Sequence, residues 1–249
     1  MNPIPILGIP HLNRPDILRR CLDSIDYPVS RLVIVQNGKD EDMPSLENLP
    51  HWIQNITVIK HPNAGVAGSW NEIIKLFPAP YWMISNNDIL FTSGALQKMA
   101  QAGELQGQLP SEYDDRQPAG MLFGHAASFF VITVHGVMNV GTFDENCFPA
   151  YLEDCDWHRR ANLLGVRTEN VDGVCVKHGD HEHSGSMTVN SSAELMLKNK
   201  RTHGGNFWYY REKWGGENHQ ETYTRPFNDP HWPLWAWKFD PLHRANQQW

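Results

Sequence analysis

IPILGIPHLNRPDILRRCLDSI, residues 4–25, reads as an apolar strand, a polar loop and a helix. Ile4 to Ile9 form the strand. PHLNRPD follows, with Asn13 and Pro15 placed to start a helix. Leu18, Cys21, Leu22 and Ile25 then share one helical face. The same alternation continues downstream. Leu32 to Val35 is a β-branched strand stopped by Asn37-Gly38, and Ile56 to Ile59 is a third strand. Val66 to Phe77 is helical, with Trp70, Ile73, Ile74 and Phe77 inward, and Tyr81 to Ile84 is a fourth strand running into Ser85-Asn86-Asn87-Asp88. Strand–helix alternation over about 90 residues predicts an α/β fold, with a mostly parallel sheet and helices on both faces. Ligands bind such sheets at the carboxyl ends of the strands. The loops starting at Pro10, Gln36, His61 and Asn86 therefore share one edge, and their Asn, Asp, His and Gly residues suit a nucleotide.

The second half is less regular. Ser93 is placed to cap a helix through Met99, Glu104 to Pro118 reads as a surface loop, and Phe129 to Val134 as a strand. FDENCFPAYLEDCDWHRRANLLG (143–165) turns helical near Glu153, and Gly165 sits where a left-handed cap would end the helix. Glu153, Asp154 and Asp156 bring three carboxylates into its first turn. The helix dipole alone favours acids there, but like charges that close also raise one another's pKa, as at reactive sites. Val171 to Val176 reads as a strand leading to His178, followed by GDHEHSGS and a short helix around Ala193 to Lys200. From Asn206 the composition shifts, and six of the ten tryptophans fall in the last 42 residues. The expected division is a catalytic domain over 1–205, split into a nucleotide half (1–90) and an acceptor half (91–205), with a Trp-rich extension over 206–249.

With 41% hydrophobic and 20% charged residues, the 249-residue chain can bury a substantial core. Its net charge of −7 argues against nucleic acid as the main partner. The four cysteines form no C-x-x-C pair, which fits a reducing, cytoplasmic setting. The N-terminal apolar run lacks a basic region and is broken by prolines, so it reads as a strand rather than a leader. No apolar stretch is long enough to span a membrane, which leaves peripheral contact.

Each polar cluster has a structural and a chemical reading. Asn86-Asn87-Asp88 is either a turn or a strand-tip carboxylate for a divalent ion that also holds a diphosphate. His178, Asp180, His181, Glu182 and His183 lack H-E-x-x-H spacing, so one histidine completing the Asp88 site fits better than a zinc hydrolase. Asn63-Ala64-Gly65 offers free amides ahead of a helix, and the C-terminal tryptophans read as core or as a sugar-stacking platform.

Taken together, IPHLNRPDILRRCLDSI, VIVQNG, PNAGVAGSWNEII, SNND and FDENCFPAYLEDCDWHRRANLLG resemble, in order and spacing, the inverting GT-A glycosyltransferases of the family 2 type. The similarity is greatest to bacterial and large-virus rhamnosyl-, galactosyl- or glucosyltransferases, with KWGG (213–216) and Arg225-Pro226-Phe227-Asn228 as later shared features. It covers about residues 3 to 228. The resemblance implies nucleotide contacts from Pro10, His11, Asn13, Arg14, Gln36, Asn37, Asn63, Gly65, Asn71 and Asn87. Gln36 departs from the family's usual acid there. Asp88, the one acid kept from an Asp-x-Asp motif, and His178 become the ligands of Mn2+ or Mg2+. Asp154 becomes the base, with Glu153 beside it and Asp156 as second choice. Trp157, His181 and Trp214 are the expected acceptor contacts. The processive enzymes' Gln-x-x-Arg-Trp signature is absent, which favours a single addition.

The expected activity is transfer of a sugar from a UDP- or dTDP-linked donor to a hydroxyl of a glycan or glycoconjugate, as in polysaccharide biosynthesis. The competing readings are a sugar nucleotidyltransferase, which would release pyrophosphate, and a non-catalytic carbohydrate-binding protein, which would need neither metal nor nucleotide.

Overall fold

A computed structural model describes residues 2–60, 62–110, 115–179 and 185–234. The first half follows the sequence pattern: β1 (Leu7–His11), α1 (Pro15–Asp23), β2 (Leu32–Gln36), β3 (Ile56–Lys60), α2 (Gly65–Leu76), β4 (Tyr81–Ser85) and β5 (Ile89–Phe91). Next come α3 (Ala95–Gln106), β6 (Met121–His125), β7 (Phe129–Thr133), α4 (Val134–Val140) and α5 (Glu153–Leu164). The last elements are β8 (Thr168–Asn170), β9 (Val176–His178) and α6 (Ala193–Trp214).

Among the described residues a seven-stranded sheet runs in the order β3–β2–β1–β4–β7–β6–β8. The β1–β2, β2–β3, β1–β4 and β6–β8 pairs are parallel, whereas β4–β7 and β6–β7 are antiparallel. The strand order reverses at β1, so the crevice for a ligand opens at the carboxyl ends of β1 and β4. One face of the sheet packs on α1 and α3 through Leu18, Leu22, Leu96 and Met99. The other packs on α2, α4 and α5 through Trp70, Ile73, Val140, Trp157 and Ala161. That three-layer arrangement buries the aliphatic strands on both faces, as parallel strands require.

Several expectations need correction. Ile4 makes only an isolated bridge, to Val29, so β1 begins three residues later. Glu104 belongs to α3 rather than to a loop, because Leu96, Met99, Ala100 and Gly103 continue a buried helical face. β6 was not foreseen; only its first two residues are buried, and its register with β7 shifts between Phe123 and His125. The strand expected over Val171–Val176 is instead β9, paired antiparallel with β5 so that His178 stands opposite Ile89. Helix α6 runs 22 residues rather than ending near Lys200, from the Ser192 cap to a left-handed Gly215. Its buried side, Thr202, Asn206, Tyr209, Tyr210, Lys213 and Trp214, is mostly polar or amphipathic, and a purely apolar periodicity does not reveal it. The boundary expected at 205/206 falls inside this helix.

Candidate active site

At the carboxyl edge of β1 and β4 lies a cleft of about 370 Å³, within the range of small-molecule sites. The tips of the first strands supply one wall with Pro10, His11, Asn37 and Asn86-Asn87-Asp88. His11 is buried and held at both ring nitrogens: Nε2 lies 2.7 Å from the Asp42 carbonyl, and Nδ1 accepts from the Asn87 amide at 2.9 Å. Burial keeps this imidazole neutral by lowering its pKa, against the pull of Asp42. Asn37 braces the wall: its amide donates to Ser69 Oγ at 2.9 Å and its oxygen accepts from Ala64 N. The Asn63 oxygen accepts from Gly65 N at 2.8 Å, fixing the turn into α2.

Asp88 and His178 are 90 residues apart in sequence, and the β5–β9 pairing brings them together. His178 Nε2 stands 3.2 Å from Asp88 Oδ1, yet it has no aligned hydrogen-bond partner. Burial opposes ionisation of Asp88, but the His178 ring and the Met187 N–H outweigh it and hold the carboxyl below its usual pKa. A buried nitrogen that makes no aligned hydrogen bond, 3.2 Å from a buried carboxylate, is an arrangement that fits a divalent ion. Among the described residues no group of three or more His, Cys, Asp or Glu is assembled for a metal. Two protein ligands suffice for Mg2+ or Mn2+ when phosphate and water complete the shell. His125 stands beside the pair, its ring 5.3 Å from that of His178.

The facing residues come from Pro149 to Asp154. Glu153 is 5% exposed, with Oε2 unpartnered, and burial followed by the Asp154 charge pushes its carboxyl well above the ordinary pKa. Asp154 is more open and accepts from Cys155 N at 2.8 Å. Glu153, whose carboxyl burial shifts toward the protonated form, therefore sits next to the more open Asp154 in the same cleft as Asp88. The two halves meet where Val66 N donates to the Pro149 carbonyl at 2.7 Å, beside Gly65 (φ 72°). A Cβ on Gly65 would come within 2.7 Å of that oxygen.

Of the residues expected at the site, Pro10, His11, Asn37, Asn63, Gly65, Asn87, Asp88, Glu153, Asp154 and His178 line the cleft. The others that are described lie off its walls. Arg14, at the N-terminus of α1, pairs with Asp16 at 2.7 Å, and Asn13 reaches toward Thr188 and Ser191. Gln36 is buried and donates to the Lys39 carbonyl. Asn71 binds both backbone groups of Phe143, bracing α2 against the acidic segment. Asp156 is 1% exposed and enclosed by Lys213 (2.5 Å), Arg160 (2.9 Å) and the Trp214 indole (2.9 Å). It is an internal ion pair, not a candidate base. Trp157 and Trp214 are fully buried core residues and not acceptor contacts, because their large rings find their apolar surroundings inside. His181 lies outside the described residues. The lining residues Tyr151, Ser186, Thr188 and His125 were not foreseen, and only Tyr151, adjacent to Glu153-Asp154, carried a positional signal.

Residues 7–105 match the model of Glycosyl transferase family 2. That segment carries β1 through β5 and ends before Glu153-Asp154. No curated protein matches the chain. Among solved structures, it is similar to mannosyltransferase PcManGT from Pyrobaculum calidifontis in complex with GDP-Man and Mn2+. The identity is 13% and the TM-score 0.54, covering 82% of this chain and 63% of that one. It is also similar to S. aureus TarS 1-349 in complex with UDP-GlcNAc, with 12% identity and a TM-score of 0.52 over 78% and 64% of the two chains. The chain therefore spans less than two thirds of either neighbour's length. Its fold is the GT-A fold that these neighbours share.

Proposed function

We propose that this protein is an inverting, single-addition glycosyltransferase. It would take a sugar from a nucleoside-diphosphate donor, UDP- or dTDP-linked, and place it on a hydroxyl of a glycan or glycoconjugate. One observation carries the reading: Asp88 and Asp154, contributed by distant parts of the chain, line the same cleft. The family 2 match over the nucleotide half supports the donor class.

In this reading the neutral His11, Asn37 just past β2 and Asn63 before α2 shape the nucleotide side without adding charge. Asp88 and His178 would hold Mn2+ or Mg2+, which when bound supplies positive charge against the diphosphate leaving group. Asp154 accepts the proton of the acceptor hydroxyl as its oxygen bonds to the anomeric carbon. The bond from that carbon to the donor phosphate breaks, and its electron pair leaves with the nucleoside diphosphate. Attack from the side opposite the leaving group inverts the centre. Glu153, shifted toward the protonated form by burial and by the Asp154 charge, and with Oε2 unpartnered, is placed to hydrogen-bond the sugar.

Asp154→Asn tests the assignment. Turnover should fall by about two orders of magnitude or more, while the thermal shift produced by nucleotide sugar with Mn2+ stays near wild type. Transfer at a near-normal rate in Asp154→Asn refutes it.

A further inference from the structure

Tyr151 and Leu152, immediately before the acidic pair, both have left-handed backbones, with φ of 79° and 74°. Neither is glycine, and two such residues in succession are uncommon and strained unless the surroundings hold them. The hold comes from α6. The fully buried Asn206 donates its amide to the Ala150 and Tyr151 carbonyls, at 2.7 and 3.2 Å. Asn199 donates to the Tyr151 hydroxyl at 3.3 Å, and the His203 ring meets the tyrosine ring edge to face at 5.0 Å. The result places an aromatic side chain on the cleft wall. Beside it, Glu153 Oε2 is buried without a partner, an acid group on the same wall still open to a hydrogen bond. The Tyr151 side chain reaches Ser186 Oγ at 3.4 Å, as well as Asn199 and His203 of α6.

We propose that Tyr151 is the platform of the acceptor subsite, taking the apolar face of a pyranose ring while Glu153 and Asp154 address its hydroxyls. It rests on the transferase reading and adds to it the chemical class of the acceptor, a hexopyranose. A pyranose carries C–H groups on its faces and hydroxyls on its rim, which an aromatic ring flanked by carboxyl groups matches. Asn206, Asn199 and His203 act as positioning residues: they hold the ring without touching the sugar.

The backbone geometry supplies a test that separates binding from structure. Glycine takes a positive φ without steric cost. Tyr151→Gly should therefore keep the backbone turn while losing the ring and its contacts to Asn199 and His203. Methyl and p-nitrophenyl glycosides of glucose, galactose, rhamnose and N-acetylglucosamine would be titrated against the full chain with UDP and Mn2+, followed by saturation-transfer NMR. At least one should bind the wild type saturably, about ten-fold more weakly in Tyr151→Gly and within about two-fold in Tyr151→Phe. Equal affinity in Tyr151→Gly, a loss of about ten-fold in Tyr151→Phe as well, or no glycoside binding to the wild type overturns the proposal. A parallel thermal-shift series with nucleotide sugars keeps the two readings apart. Tyr151-independent glycoside binding with an intact nucleotide-sugar shift removes the subsite alone. Tyr151-dependent binding with no nucleotide-sugar shift removes the transferase reading and leaves a carbohydrate site.

Discussion

On the wall built from residues 7–91, the strands are buried through aliphatic side chains such as Leu7, Ile9, Val33, Ile34, Met83 and Ile84, and the polar site residues stand at the strand tips. On the wall built from residues 143–214, the fully buried positions include Asp144, Asp156, Arg160 and Lys213. Lys213 Nζ lies 2.7 Å from Asp144 and 2.5 Å from Asp156. Arg160 pairs with Asp156 and also donates to the Val140 and Thr142 carbonyls. Tyr209 donates to Asp144 Oδ2 alongside Lys213, and Asn146 donates to Oδ1. The first wall is a layered hydrophobic core that tolerates small volume changes. The second is a balanced set of two anions and two cations in which each group depends on the others. It fixes the angle of α5, and with it where Glu153 and Asp154 point.

The contrast is broken most directly at Lys213. Lys213→Met leaves Asp144 and Asp156 short of a cation in a dry interior and should cost about 3–5 kcal/mol in urea unfolding. A loss below 1 kcal/mol would show that the ion cluster does not hold this wall. Next in size is the seam between the walls. Gly65→Ala forces a side chain into the Pro149 carbonyl at a positive φ, and about 1–3 kcal/mol should be lost. Nucleotide-sugar binding should weaken with it, and wild-type affinity together with wild-type stability would show that the seam is loose. The smallest effect is in the pH profile. Burial opposes ionisation of Asp156, but Lys213 and Arg160 depress its pKa overall. Its contribution is therefore complete above about 3.9, the usual aspartate value, and disappears as pH falls through the lower folded value. Lys213 is shifted upward by Asp144 and Asp156 despite burial, so its contribution is complete below about 10.4 and is lost as pH rises through the higher folded value. Between about pH 5 and 9 neither Asp156 nor Lys213 gives the melting temperature a slope, whereas Glu153, raised by burial, lowers stability as pH rises and His11, lowered by burial, raises it. In Lys213→Met the acid fall should move to higher pH, because Asp156 loses its main cation. An unmoved acid limb counts against the coupling.

How much was legible differs between the two walls for the same reason. In the first half, local periodicity and turn residues located β1 to β4, α1 and α2 to within a few residues. The loops they left, at Pro10, Asn37, Asn63 and Asp88, do line the cleft. In the second half, the start of α5 at Glu153 and its Gly165 cap were legible, but its rotation was not. Asp156 follows Asp154 by two residues, about 200° around a helix, so one can face a cleft while the other faces the interior. Nothing local to those three acids says which. The answer lies 57 residues on, in Lys213 and Trp214, on a helix whose buried face is too polar to be read from apolar spacing.

Resemblance to known glycosyltransferases pointed to Asp88 and Glu153-Asp154, whereas the sequence by itself determined the alternation of strands and helices and the edge at which polar loops collect. Those are short-range properties, set by side-chain period and turn chemistry within about a dozen residues. Only the tertiary structure decided that β9 carries His178 to Asp88, that Asp156, Trp157 and Trp214 turn inward, and that α6 holds Tyr151 in a strained backbone. Each of these depends on a partner far along the chain, and a buried charge or strained dihedral persists only where that partner compensates its cost.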